Sequence, residues 1–289
     1  MTRLFSICGL AVLVSLAACG GDETDETEQQ DPSELTPDTT DGGATPSEPE
    51  ADAGTTDPVP SICPGGEQPT AEVCDGLDND CDNAIDEGCP SGIAITAGVD
   101  GPAMGNLPGG SPVTAFCPAG QVVTGFSTTR IFTNGVVGNL EIECGKVTLN
   151  TSTQAKPFTY SISFPLGTKL GRFGGTLAGF SSSTFTVAVH RCPTGSAVSG
   201  LRYHSNAGNA TLGGMRCSSV TASGSPGRFT LTRKQGADTT FPEVTPSATA
   251  VRAFFDCAGS GFISGFTGRA GVFVDAMRAS CANGSLLLK

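Results

Sequence analysis

Short stretches in which apolar and polar residues alternate recur through the last two-thirds of the chain. Examples are Tyr160/Ile162/Phe164 and Phe185/Val187/Val189. A period of two is typical of strands that are half-buried in a sheet, and no stretch of useful length has the 3.6-residue period of an amphipathic helix. The pattern predicts an all-β domain over residues 91–289. It also places His190 opposite the apolar side chains of its strand, as a solvent-facing or hydrogen-bonding residue and not a catalytic one.

Composition and charge divide the chain into two parts. It has 40 Gly, 19 Pro and no Trp among 289 residues, which leaves little material for long helices. Residues 1–90 hold 21 of the 28 acidic residues and Arg3 as their single base, whereas residues 91–289 carry 15 Lys and Arg against 7 acids. The arginines of this second part are scattered and few aromatic residues accompany them, so nucleic acid is not an expected partner.

The N-terminus reads as an export signal. Arg3 precedes the apolar run Leu4–Leu16, which ends in Ala17-Ala18-Cys19. This is the pattern of a secretory signal peptide over residues 1–18, and the run is too short to span a bilayer comfortably. Its end resembles the lipobox of bacterial lipoproteins, which implies cleavage before Cys19 and acylation of that cysteine. The alternative is an ordinary signal peptide followed by a chance cysteine.

The lipoprotein resemblance also implies a location. Gly20 follows the cysteine, which implies sorting to the outer membrane as an extracytoplasmic protein held to the membrane by its N-terminal lipid. Residues 19–60 are acidic and rich in Thr and Pro, and they lack apolar periodicity. Such a segment cannot bury enough apolar surface to offset its chain entropy. We therefore expect a lipid-anchored, disordered linker.

The cysteines fall into two groups. After Cys8 leaves with the signal peptide and Cys19 is acylated, ten of the 12 remain. Six form pairs separated by 27, 25 and 24 residues: Cys117/Cys144, Cys192/Cys217 and Cys257/Cys281. In an oxidising compartment these spacings predict a disulfide inside each of three repeats, and each bridge contributes roughly 3 kcal/mol in the chain-entropy model. A zinc site is disfavoured because the CxxC spacing is missing.

The other four cysteines, Cys63, Cys74, Cys81 and Cys89, enclose an acidic loop and allow three pairings among themselves. Carboxylates alternate at positions 1, 3, 5 and 9 of this loop, and a hard cation such as Ca²⁺ needs six to eight oxygen ligands. The EF-hand pattern is only partly matched, since Asn83 replaces the usual Gly and Cys89 the bidentate Glu. The expected ligands are Asp78, Asp80, Asp82, Asp86 and Glu87.

This segment resembles the short metal-binding motif named after MopE, which is common in secreted bacterial proteins. The resemblance implies that residues 61–90 form a small, disulfide-rich metal-binding knot. The segment has no His, Met or Trp, so we expect a structural calcium ion and not copper. The alternative is a disulfide knot with solvated acids and no tightly bound ion.

Three cysteine-started stretches in residues 91–289 share one pattern. They are Cys117–Phe126, Cys192–Leu201 and Cys257–Phe266, and each is followed by a small, apolar segment that leads to the second cysteine. The repeat interval is 75 and then 65 residues, which is room for about four short strands. Three antiparallel sheets around one axis form a β-prism, which buries one face of each sheet without long open edges. We predict such a prism with threefold pseudo-symmetry.

The repeats resemble those of the vitelline membrane outer layer family, and the third resembles the last repeat of jacalin-type lectins. In those lectins a G-x-x-x-D loop holds a sugar through backbone amides and a carboxylate. The resemblance implies a carbohydrate site at Gly271, Val272, Phe273 and Asp275. Gly138 and Gly213 occupy the position of Asp275 in the other repeats, so at most one site is expected.

The sequence does not place the second loop of such a site, for which Gly109-Gly110 is one candidate. It also leaves open that Asp275 is a turn residue or an ion-pair partner of Arg269 or Arg278.

From the sequence as a whole, we expect a non-enzymatic, surface-exposed lipoprotein that binds extracellular glycan. The alternative is a structural envelope protein without a sugar site, and an enzyme is disfavoured because no nucleophile or metalloprotease motif is present.

Overall fold

The alternating segments form fifteen strands in the described part of the chain. The computed structural model describes residues 63, 66, 68–131, 136–153, 158–167, 169–175, 177, 179, 181, 185–206, 209–241 and 251–289. The predicted signal peptide, Cys19 and the acidic linker lie outside these residues. Among the described residues, no helix has the length and apolar character needed to cross a membrane. The strands are β1 (Pro90–Ala97), β2 (Met104–Gly105), β3 (Ser111–Phe116), β4 (Gln121–Ile131), β5 (Val137–Lys146), β6 (Thr148–Thr153), β7 (Phe158–Ser163), β8 (Lys169–Gly174), β9 (Phe185–Arg191), β10 (Ala197–Asn206), β11 (Asn209–Gly224), β12 (Thr230–Thr240), β13 (Val251–Asp256), β14 (Phe262–Ala270) and β15 (Val274–Leu288).

Three antiparallel sheets repeat one strand arrangement. The central hairpins are β4–β5 in the first sheet, β10–β11 in the second and β14–β15 in the third. One flanking strand pairs with the first member of each hairpin (β9, β13 and β3) and another with the second member (β8, β12 and β2). The third sheet also carries β1, and the second also carries β7 and β6. The predicted all-β prism with threefold pseudo-symmetry is confirmed.

Each sheet is completed by the strand that leads into the next repeat. Strands β9 and β13 pair with the first and second hairpins and end one residue before Cys192 and Cys257. Strand β3 ends one residue before Cys117, yet it pairs with β14 of the third hairpin. The beginning and end of the domain therefore share the third sheet, which closes the circle of repeats.

A β-bulge occupies the same place in all three hairpins, at Thr124, Ser199 and Ser264. Each hydroxyl donates to the carbonyl of the residue before the second cysteine of its repeat. Each bulge carbonyl in turn accepts a hydrogen bond from the first cysteine of the following repeat. These three bonds are Cys192 N–Thr124 O at 2.9 Å, Cys257 N–Ser199 O at 2.8 Å and Cys117 N–Ser264 O at 2.8 Å.

The bulges direct apolar residues into two clusters. Phe126, Leu201 and Phe266 lie two positions after the bulges and are fully buried in the main core. Val122, Ala197 and Phe262, two positions before the bulges, belong to a second cluster. The disulfides Cys117–Cys144, Cys192–Cys217 and Cys257–Cys281 stand within their repeats, as the spacing predicts. Their sulfur atoms therefore reinforce each hairpin separately.

Strand β9 differs from the expected orientation. Val187 and Val189 are 66% and 47% exposed, whereas the half-buried His190 stacks its ring on Phe241 with the centroids 3.7 Å apart. The pairing of β9 with β4 sets His190 opposite the buried Phe126, and directly opposite residues share a face of the sheet. Of the two environments expected for His190, solvent-facing or hydrogen-bonding, the solvent-facing one is therefore wrong.

Histidine 204 also lies elsewhere than its polar neighbours suggest. Asn206 and Asn209 indicate a polar loop, but His204 is buried within β10. Its ring occupies the space that a side chain at Gly213 would need. Glycine at position 213 therefore has a packing role, since any larger residue would strike the imidazole.

The two tyrosines of the chain provide a test of the core. Burial raises the pKa of Tyr203 far above its ordinary value, and burial together with the Asp86 charge raises that of Tyr160. An unfolded tyrosine ionises near pH 10. The phenol groups therefore stabilise the folded state below about pH 10, and this contribution is lost as the pH rises further.

We predict that the phenolate absorbance of the native protein rises at a higher pH than that of the unfolded protein, whose tyrosines ionise near pH 10. Both tyrosines are expected to ionise together when the protein unfolds in alkali. A spectrophotometric pH titration of the wild type checks this, with Tyr203→Phe to isolate Tyr160 and guanidinium-unfolded protein as the control. Ionisation of half the signal at the ordinary pKa in native protein would contradict the burial of one ring.

Candidate functional site

The loop that joins β14 to β15 contains the predicted sugar-binding residues. Gly271 and Val272 are exposed, Phe273 is half-buried, and the Gly271 N–H donates to the Phe273 carbonyl at 2.9 Å. Asp275 is the second residue of β15 and is half-buried. The loop thus offers exposed backbone next to an apolar ring and a carboxylate.

The structure brings the Gly109-Gly110 turn, between β2 and β3, against the Asp275 carboxylate. A Cβ atom at Gly109 would lie 3.1 Å from the Asp275 carboxyl carbon, and one at Gly110 would strike the Asp275 Oδ2. Gly110 also has a φ of 60°, a backbone conformation that favours glycine. The turn can approach the carboxylate this closely only because neither residue has a side chain.

Arg269 holds this turn in place. Its Nε donates to the Gly109 carbonyl and its Nη2 to the Gly110 carbonyl, each at 2.7 Å. In the described part of the chain, Asp275 forms no ion pair with Arg269 or Arg278. The guanidinium thus fixes the loop beside the carboxylate without neutralising it directly.

The equivalent positions of the other repeats are closed. The Asp275 carbonyl accepts from Asn106 N, and the carbonyls of Gly138 and Gly213 accept from Gly175 N and Phe241 N in the same way. Leu177 fills the space beside Gly138, as His204 does beside Gly213. Among the described residues, only the third repeat presents a carboxylate at this position.

The acidic knot is closed by the disulfides Cys63–Cys81 and Cys74–Cys89, a pairing that the sequence left open. Two groups of carboxylates gather inside it, with oxygens of each group within 4.8 Å of one another. Both groups contain Asp80, and partial burial, followed by the nearby Asp82 charge, raises the Asp80 pKa. The groups are Glu72, Asp78 and Asp80, and Asp80, Asp82 and Glu87.

Glu72 is a candidate ligand that the sequence reasoning missed. It lies six residues before Asp78, outside the alternating pattern, and its carboxylate accepts N–H groups of Asn79 and Asp80 at 2.8 and 3.1 Å. The chain therefore folds back so that Glu72 joins the loop. An acidic residue just before Cys74 was the signal available in the sequence.

The surroundings of the Glu87 carboxylate suit a bound cation. Both of its oxygens are buried and have no hydrogen-bond partner among the described residues. Buried carboxylate oxygens without a donor are costly, and a hard cation would satisfy them. The knot's other oxygen-bearing acids stand beside them, so the residues present suit calcium.

Asp86 lies outside both groups and joins the knot to the prism. Its Oδ1 accepts from Asp75 N at 2.9 Å and Gly76 N at 2.8 Å, and its Oδ2 accepts from the Lys289 ammonium at 2.8 Å. Burial alone would raise the Asp86 pKa, but the Lys289 charge and the two N–H groups hold it below its ordinary value. The Asp86 carboxylate is therefore bound by groups of the protein itself and does not depend on a cation.

Comparison with solved structures finds lectins. A Malaysian banana lectin shares 15% identity at a TM-score of 0.35, covering 66% of this chain and 99% of its own. Single-chain recombinant jacalin shares 12% at 0.37, covering 64% and 95%, and the Calystegia sepium agglutinin shares 11% at 0.32, covering 66% and 98%. No family model and no curated protein matches the chain.

Proposed function

We propose that this protein is a non-enzymatic carbohydrate-binding protein displayed outside the cell on a lipid anchor. One observation carries the proposal: the Asp275 carboxylate lies beside a turn of two glycines and has no described ion-pair partner. A half-buried carboxylate without an ion-pair partner is an acceptor for hydroxyl groups. Neighbouring sugar hydroxyls can donate to its two oxygens together.

The surrounding residues suit the rest of a sugar ring. The Gly271 N–H and the Val272 carbonyl are bonded to the Phe273 carbonyl and the Leu177 N–H, so the Val272 N–H and the Gly271 carbonyl are the backbone groups offered to a sugar next to the carboxylate. Val272, which is 38% exposed, and Phe273 provide apolar surface for the C–H face of the ring. Because Arg269 holds the opposite turn, binding would require little ordering of the loop.

A structural envelope role is the second candidate, and β9 favours it. This strand lies at one edge of the first sheet and exposes Val187 and Val189. Apolar side chains on an edge strand are suited to contact with another protein surface. Under this alternative the prism packs with other envelope components and has no sugar site.

We predict that Asp275→Asn weakens glycan binding without lowering the melting temperature. Loss of the charged acceptor should weaken a bound sugar roughly tenfold or more. A glycan array followed by titration of the selected glycan measures this, and Asp100→Asn, an exposed aspartate in the β1–β2 loop, is the matched control. Equal binding by both variants would refute the site, and no binding by the wild type would favour the structural role.

We further propose that the knot holds a structural calcium ion. The ligand candidates are Asp78, Asp80, Asp82 and Glu87 with Glu72, while Asp86 serves the contact with Lys289 instead. The support is the paired carboxylate groups and the buried, unpartnered oxygens of Glu87. Calcium would neutralise the mutual repulsion of these acids and so stabilise the knot.

Calcium at a hundredfold excess over its Kd should stabilise the protein by about 2.7 kcal/mol, a rise in melting temperature of roughly 5–10 °C over EGTA. Asp80→Asn should remove this increase because Asp80 belongs to both groups. Asp75→Asn, a loop aspartate outside both groups, should retain it. Differential scanning calorimetry checks the result, and identical melting of the wild type in calcium and EGTA would exclude a structural ion.

The anchor is the third part of the proposal. The Leu16-Ala17-Ala18-Cys19 sequence supports cleavage and acylation at Cys19, and two or more acyl chains hold a protein firmly on a bilayer. The acidic linker that follows would extend the knot and prism away from the membrane. This arrangement suits a protein that binds glycans outside the cell.

We predict that Cys19→Ser abolishes lipid attachment. Cells fed an alkyne fatty acid should label the wild type, which should sediment with membranes, whereas the variant should remain unlabelled. The variant Cys8→Ser, within the predicted signal peptide, is the control and should be labelled normally. Labelling of the Cys19→Ser variant would mean that the lipid is attached to another residue, and it would contradict acylation at Cys19.

A further inference from the structure

We propose a second binding site, for a small organic anion with an apolar body, in the cavity between the knot and the prism. The cavity has a volume of about 750 Å³, which lies within the range of about 300–1,000 Å³ usual for small-molecule sites. Ala71 and Glu72 of the knot form one wall, and Phe158, Pro226 and Arg228 of the prism lie opposite. None of these residues belongs to the loops around Asp275.

Two apolar side chains, Phe158 and Pro226, line the prism side of the cavity. Phe158 begins β7 and belongs to a buried cluster with Tyr160 and Ala222, while Pro226 lies in the turn between β11 and β12. Ala71 adds an exposed methyl group from the knot. An alkyl or ring portion of a ligand would gain about 25 cal/mol for each Å² of apolar surface that it removes from water here.

One acid, Glu72, and one base, Arg228, line the cavity, and they differ in how far they are available to a ligand. The Arg228 side chain is exposed and has no ion pair or hydrogen bond within the described residues. The Glu72 carboxylate, in contrast, accepts three backbone N–H groups inside the knot, from Asn79, Asp80 and Asp86. The charged group that remains available to a ligand is therefore the guanidinium, which binds carboxylate, sulfonate or phosphate through paired donors.

Contacts between knot and prism hold the cavity open. Gly227 N donates to Gly88 O at 2.9 Å, and Arg228 N donates to Ser225 O at 2.8 Å within the same turn. A Cβ atom at Gly88 would lie 2.5 Å from the Gly227 nitrogen, so these two segments of the chain meet without intervening side chains. The backbones of the two walls are thus joined before a ligand arrives, which lowers the entropy that binding must overcome.

Isothermal titration calorimetry of the full chain with octanoate, octan-1-ol and octylammonium tests the site. We expect octanoate to bind most tightly, because it alone combines an alkyl chain with an anion. Arg228→Met should weaken octanoate roughly tenfold or more, to the affinity of octan-1-ol. Arg278→Met, which removes an exposed arginine of β15 away from the cavity, should leave octanoate binding unchanged.

A second variant tests the apolar wall. Ala71→Phe should fill the cavity and weaken both octanoate and octan-1-ol while Arg228 is retained. The proposal would be overturned if the wild type bound no octanoate, bound octylammonium as tightly, or lost octanoate equally through Arg278→Met. Asp275→Asn should retain octanoate binding, so failure of this site and failure of the sugar site are separate results.

Discussion

Three hydrogen bonds between neighbouring repeats set the geometry on which the prism depends. Each runs from the first cysteine of one repeat to the bulge carbonyl of the repeat before it, at Thr124, Ser199 or Ser264. A bulge adds one residue to a strand and so changes which face the following side chains occupy. Residues before and after the bulge, although they belong to one short strand, are thereby buried in two different clusters. Without the bulge, the alternation would carry the second set to the wrong face.

The three repeats share these bulges and hydrogen bonds but differ in the side chains that they carry at equivalent positions. In the first sheet Glu143 pairs with Arg191, at 2.7 Å, and in the second Arg216 pairs with Asp256, at 2.9 Å. These pairs occupy equivalent places with their charges exchanged, so the attraction is retained although neither residue is. The position of Asp275 differs in another way: its carboxylate faces the turn of Gly109 and Gly110, while leucine and histidine side chains fill the corresponding space in the other repeats.

The knot shows how one cluster of acids divides into two roles. Asp86 uses both carboxylate oxygens to attach the knot to its own loop and to Lys289 at the end of the chain. The remaining acids face one another, and the buried Glu87 oxygens have no donor among the described residues, which is the arrangement that a cation would relieve. The same attachment creates a cavity at the end of the prism. A small acidic domain thereby becomes part of the wall of a second pocket.

The sequence by itself determined the repeat number, the three disulfides of the prism and the loop that contains Asp275. These features depend on cysteine spacing and on local alternation, which a chain displays directly. Tertiary structure decided the rest. It turned His190 inward, brought Glu72 into the acidic loop and set Gly109 beside β14, where Arg269 binds a carbonyl 160 residues away. The physical reason is that the register between distant strands decides which face of a sheet each side chain occupies and which loops come into contact. A one-residue change of register moves every side chain of a strand to the opposite face.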